Sequence, residues 1–130
     1  MKIKLSSIFV ENQDKALAFY TGVLGFKKSK DLPMGEFRWI TLVSPEGHPD
    51  VELVLEPNAN PCAKTFQEAL MAQGIPITGF EVEDLKAEAK SLKKAGVKFT
   101  MDPKDMGPVK LAIFADTCGN LIQLYQPPKP

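Results

Sequence analysis

The chain is poor in the residues that carry metal and nucleophile chemistry. Its 130 residues include two cysteines, Cys62 and Cys118, and one histidine, His48. There is no CxxC pair and no disulfide framework, which points to a reducing compartment and a cytoplasmic place of work. A finger-type zinc site is excluded, because two Cys and one His cannot supply four soft ligands. Any Ser–His–Asp or Cys–His arrangement would have to use His48, which sits in PEGHPD, a Pro/Gly-rich turn between two apolar runs. Sixteen basic residues balance sixteen acidic ones. That leaves no electrostatic reason to expect nucleic acid or an anionic membrane as partner. No apolar run approaches the roughly 18 residues that span a bilayer. The opening MKIKLSSIFVENQDK does not read as a signal peptide, since its apolar stretch is broken by Ser6 and Ser7 and followed by Glu11 and Asp14. What is present is ordinary globular material, 44% hydrophobic and 25% charged, of a length that suits one domain or two small modules sharing a core.

Periodicity places the elements. IKLSSIFV at 3–10 reads as a strand. Asn12 or Asp14 caps a helix over 13–24, where Ala16, Phe19, Tyr20, Val23 and Leu24 recur at helical spacing and Gly25 stops it. A short strand is expected from Phe26 to about Lys30, then DLPMGE as a loop, FRWITLV at 37–43 and VELVLE at 51–56 as strands. Asn60 and Pro61 start a connecting helix over 60–73, with Ala63, Phe66, Leu70 and Met71 on one face. The pattern then restarts. PITGFEV at 76–82 is a strand, EDLKAEAKSLKKA a helix with Leu85, Ala89 and Leu92 inward, and VKFT a short strand. MDPKDMGP is a loop, and VKLAIFA at 109–115 and LIQLYQ at 121–126 are strands.

The order strand–helix–strand–strand–strand therefore occurs twice. Val10 and Val82 lie 72 residues apart, as do Gly47 and Gly119, while Gly25 and Gly96 lie 71 apart. Near-constant offsets indicate an internal repeat, with module one over about 1–57 and module two over about 76–127. The expected class is α+β: two tandem βαβββ modules forming a curved mixed sheet, helices outside and a concave cup inside.

The frame V-x-N-x-D-K-A-x-A-F-Y-x-x-V-L-G-F at 10–26, with D-x-x-G-N-L-I-Q-L at 116–124, resembles the vicinal oxygen chelate superfamily. That superfamily contains glyoxalase I, extradiol dioxygenases and the bleomycin- and fosfomycin-resistance proteins. The resemblance implies a divalent metal in the cup, held by His, Glu or Gln from the first and last strand of each module. Carried onto this chain one at a time, those positions are Leu5, Glu52, Ile77 and Gln123. Leu5 and Ile77 have no lone pair to offer. Glu52 and Gln123 alone seldom hold a transition metal. The expectation is accordingly no metal and no cofactor. The alternative is a lyase, isomerase or dioxygenase with a divalent metal rebuilt near Glu52 and Gln123, or with Glu52 as general base.

Strand alternation assigns the cup face to Leu5, Ser7 and Phe9; Phe37, Trp39 and Thr41; Glu52, Val54 and Glu56; Ile77, Gly79 and Glu81; Lys110, Ala112 and Phe114; and Gln123 and Tyr125. Apolar walls with sparse polar groups suit a small-molecule pocket. The candidate ligand-binding residues are Ser7, Phe9, Phe37, Trp39, Glu52, Gln123 and Tyr125. The aromatic members would stack on a planar ligand, and Glu52 beside Gln123 would orient it. A Glu52 buried among apolar walls would have a raised pKa, making it the one catalytic candidate. Met34, Gly35, Met101, Met106 and Gly107 would border the mouths of the cup. The resemblance also implies a homodimer.

Overall fold

A computed structural model describes residues 1–130. The elements run β1 (Leu5–Val10), α1 (Gln13–Gly22), β2 (Lys27–Met34), β3 (Phe37–Val43), β4 (Glu52–Pro57), α2 (Pro61–Gln73), β5 (Thr78–Glu81), α3 (Leu85–Lys94), β6 (Phe99–Met106), β7 (Val109–Ala115) and β8 (Leu121–Gln126). This is an α+β chain of two βαβββ modules. They lie in two compact units, residues 1–66 and 67–130. Each unit holds a four-stranded mixed sheet, ordered β1-β4-β3-β2 in the first and β5-β8-β7-β6 in the second. In both, the first strand is parallel to the last and the other pairings are antiparallel. α3, β6 and β7 each begin 72 residues after α1, β2 and β3. The repeat is therefore one of structure as well as sequence.

Local chemistry explains the elements. Asn12 is the N-cap of α1, its side chain accepting from the Lys15 N–H, and Asp84 caps α3 by accepting from Ala87. Both helices stop before a glycine in the left-handed region, Gly25 at φ 84° and Gly96 at φ 93°. The inward stripe of α1 is Ala16, Phe19 and Tyr20, and that of α3 is Leu85, Ala89 and Leu92. Under α1, the sheet contributes Ile8, Val10, Ile40, Leu42 and Leu55, all buried.

The signature D-x-x-G-N proves to be a turn. Asp116 is fully buried between β7 and β8, and its Oδ1 accepts from the N–H groups of Cys118 (2.7 Å) and Asn120 (3.0 Å). Its Oδ2 accepts from Asn120 Nδ2 at 2.8 Å. The tight loop places Thr117 at φ 62° and Gly119 at φ 98°. Gln67 of α2 donates to the Cys118 carbonyl and to Asn120 Oδ1. These residues hold a corner of the fold.

Four expectations are corrected. The loops expected at DLPMGE and MDPKDMGP are the ends of strands β2 and β6, which pair through Met34↔Phe37 and Met106↔Val109. Gly35 (φ 62°) and Gly107 (φ 77°) supply the positive φ that such two-residue hairpin turns need. On α2, the residue that turns inward beside Ala63 is Gln67, while Phe66 is half exposed. The phase of β7 is inverted. Ala112 pairs with Leu124 and Phe114 with Ile122, and all four are buried on the helix side. Leu111 and Ile113 therefore share the opposite face with Tyr125 and Gln123, and Lys110, Ala112 and Phe114 do not. Finally, the strand expected over 76–82 is the shorter β5, which begins after Ile77 and sets Gly79 beside Gln123.

Of the four edge strands, β2 carries one bulge and β6 two. Lys28 sits opposite Leu42 and Lys30 opposite Thr41, so Ser29 is the extra residue of β2. The bulge turns Lys30 onto the non-helix face. In β6, Phe99 sits opposite Phe114, Met101 opposite Ile113 and Lys104 opposite Leu111, so Thr100 is one extra residue and a second lies between Met101 and Lys104.

Candidate functional site

The non-helix face of the first sheet presents Leu5, Ser7 and Phe9 of β1, Glu52, Val54 and Glu56 of β4, and Phe37, Trp39 and Thr41 of β3. At the Phe9–Glu56 end of this face lies a cavity of about 620 Å³, within the usual range for small-molecule sites. Its walls come from the sheet (Phe9, Phe37, Trp39, Val54, Leu55, Glu56 and Pro57), from Met34 and Arg38, and from the start of α2 (Asn60, Cys62, Ala63 and Phe66). Three sequence candidates, Phe9, Phe37 and Trp39, thus meet in one cavity. Ser7 and Glu52 lie farther along the same sheet face and do not line it. Gln123 and Tyr125 lie on the corresponding face of the second sheet. The α2 contribution has no counterpart among the sequence candidates. Its signal was the short spacing of Cys62, Ala63 and Phe66 directly after the Pro61 helix start.

The cavity exists because the sheet opens beneath it. β3 and β4 pair only through Thr41↔Val54, Leu42↔Leu53 and Val43↔Glu52. Continuing that register would set Arg38 opposite Pro57, which has no N–H to return to the Arg38 carbonyl. The Gln13 side chain fills the gap. Its Nε2 donates to the carbonyls of Arg38 (2.7 Å) and Leu55 (2.9 Å), and its Oε1 accepts from the Arg38 N–H (3.1 Å). In the second unit β7 and β8 stay paired from Lys110↔Gln126 to Ala115↔Leu121, and the residue 72 positions after Gln13 is the fully buried Leu85. One glutamine therefore keeps open in one module what is closed in the other.

Electrostatics differ between the two faces of the first sheet, Arg38 lying on the helix side and Glu52 on the other. The Arg38 guanidinium is bound by Asp31 through two hydrogen bonds (2.9 and 2.8 Å) and also by Asp14. Those partners hold its pKa above the ordinary arginine value, and the Arg38 hydrogen bond in turn lowers Asp31. Away from the cavity, Glu52 accepts from Lys30 Nζ on both oxygens (3.0 and 2.8 Å) and from Thr41 Oγ1 at 2.7 Å. Lys30, then Thr41 and Ser29, lower its pKa to about 2. This reverses the expectation of a raised pKa. The bulge at Ser29 delivers an ammonium to the carboxylate, which outweighs desolvation. A carboxylate so stabilised is a weak base at neutral pH.

The residues do not fit the superfamily's divalent metal. Leu5 lies beside Glu52 in the β1–β4 ladder and offers only carbon. Glu52 already has a cation on both oxygens. No three His, Cys, Asp or Glu side chains are grouped as a metal site would need.

Comparison with known proteins places this architecture in a family. Residues 2–124 match the Glyoxalase/Bleomycin resistance protein/Dioxygenase superfamily, and the chain belongs to it. YurT, an uncharacterised protein of Bacillus subtilis (strain 168), is 55% identical over 126 residues, covering 97% of this chain and 99% of YurT. Among solved structures, UcmS2 matches with a TM-score of 0.82 at 32% identity, over 96% of this chain and 97% of UcmS2. TnmS3, an antibiotic binding protein from Streptomyces sp. CB03234, matches with a TM-score of 0.77 at 27% identity, over 98% and 96%. A glyoxalase I from Zea mays shares the fold at 17% identity, with 45% of its chain covered. No helix is long and apolar enough to cross a membrane.

Proposed function

We propose that this protein is a metal-free binding protein of the superfamily, working in the cytoplasm on a small amphipathic or planar molecule that it holds without chemical change. The observation that carries this reading is the cavity of about 620 Å³ walled by Phe9, Phe37, Trp39 and Phe66. Flat aromatic walls favour flat ligands through stacking, and sparse polar groups orient them. Ser7 and Glu52, farther along the same sheet face, are proposed as further polar contacts, and Gln123 and Tyr125 are proposed as contacts of the second unit by itself. TnmS3, a relative in structure, is an antibiotic binding protein, which is consistent with this use of the fold. The general-base alternative for Glu52 is weakened by its pKa of about 2, and the metal alternative by Leu5 and by Lys30 on Glu52.

Trp39 is the only tryptophan, so its emission reports occupancy directly. Titration of planar aromatic probes should quench or shift that emission with saturation. Flat titrations across a panel of such probes overturn the reading. Stoichiometric Mn, Ni, Zn or Fe in the purified protein overturns its metal-free part. We also propose a homodimer, which light scattering at micromolar concentration tests; a monomeric mass contradicts it.

A further inference from the structure

Resting on that binding reading, we propose that the ligand is an organic cation: a flat apolar body carrying a positive charge that Glu56 receives. Two formally charged residues line the cavity, Arg38 and Glu56, and strand alternation turns the Arg38 side chain with Ile40 to the helix face, toward Asp14 of α1. Arg38 cannot recruit an anion, because Asp31 and Asp14 both bind its guanidinium. Glu56 has no cationic partner and no side-chain hydrogen bond, unlike Glu52 one strand turn away on the same face. It points to the cavity side because it alternates with Glu52 and Val54 and lies beside Phe9 in the β1–β4 ladder. No lysine lines the cavity.

The aromatic walls favour the same charge. The faces of Trp39, Phe37 and Phe9 carry the negative part of the ring quadrupole, which attracts cations and repels anions. An anionic ligand would have to pair its charge with an arginine that is already occupied. A neutral ligand would leave Glu56 half-buried and unpaired, losing hydration without compensation. A cation gains from both the carboxylate and the rings.

The test compares ligands of one shape and different charge. 9-Aminoacridine is a cation at pH 8, acridine is neutral and acridine-9-carboxylate is an anion; each is titrated by calorimetry with Trp39 emission recorded in parallel. The aminoacridinium should bind about tenfold tighter than acridine, and the carboxylate more weakly still. In Glu56→Gln, checked for unchanged circular dichroism and melting, the cation's advantage should fall about threefold or more, to the part the rings supply, while acridine binds as before. Equal affinities in the wild-type protein, or an advantage undiminished in Glu56→Gln, overturn the charge assignment and leave the binding reading standing. If none of the three perturbs Trp39, the binding reading fails and this inference with it.

Discussion

Replacing Gln13 by leucine, the residue at the equivalent place in the second module, separates the two roles of that position. The substitution removes three hydrogen bonds, to the N–H and carbonyl of Arg38 and the carbonyl of Leu55. At about 1 kcal/mol net for each, the loss is about 3 kcal/mol. The leucine recovers about 1 kcal/mol through partial burial. The strands cannot repair the damage by closing, because Pro57 lacks the N–H that the Arg38 carbonyl would need. We expect a net destabilisation of about 2 kcal/mol in urea unfolding and a fall in Tm of roughly 6 °C. Amide exchange at Arg38 should accelerate, and probe binding at Trp39 should weaken as the cavity floor loses its support. Gln13→Glu, which keeps one acceptor but loses both donors, should also destabilise. A Gln13→Leu protein within about 0.5 kcal/mol of wild type, with Arg38 exchange unchanged, would refute the claim that the amide holds the breach open.

Three further outcomes are expected. Glu52 has a folded-state pKa of about 2 against an ordinary 4.5, so its contribution is present above about pH 4.5 and lost as pH falls through about 2. Lys30→Met removes the largest cause, and thermal melts across that window should show a shallower acid decline; superimposable curves would count against the pairing. Asp116→Ala strands the N–H groups of Cys118 and Asn120 in a buried turn and should cost about 3 kcal/mol by urea unfolding. Thr117→Asn places a residue that tolerates positive φ where a β-branched one now sits at φ 62°, and calorimetry should show a small rise in Tm.

Much of the fold was legible because each module repeats the other. Asn12 and Asp84 marked the helix starts, and the buried stripes of α1 and α3 follow from spacing alone. The misreadings have physical causes. β2 and β6 are edge strands, exposed on most of their length, so they lack a clear apolar alternation and tolerate Pro33 and Pro103. VKLAIFA is apolar at every position but Lys110, so its period of two is invisible. The 72-residue offset from Phe37, Trp39 and Thr41 lands on Val109, Leu111 and Ile113 and would have fixed the phase. The low pKa of Glu52 depends on a bulge that re-aims Lys30, and no sequence pattern announces a bulge. The breach at Gln13 depends on Pro57, 44 residues away, so neither residue is informative alone.

The bulges at Ser29 and Thr100 lie 71 residues apart, at matching places in β2 and β6. An insertion shared by both halves is most simply inherited from the single half-length ancestor that was duplicated. The proline and glutamine that part β3 from β4 are absent from the other half, so they arose, or were lost there, afterwards. Once doubled, the chain had a spare copy: one half could keep its sheet zipped while the other was free to trade ladder hydrogen bonds for a hollow.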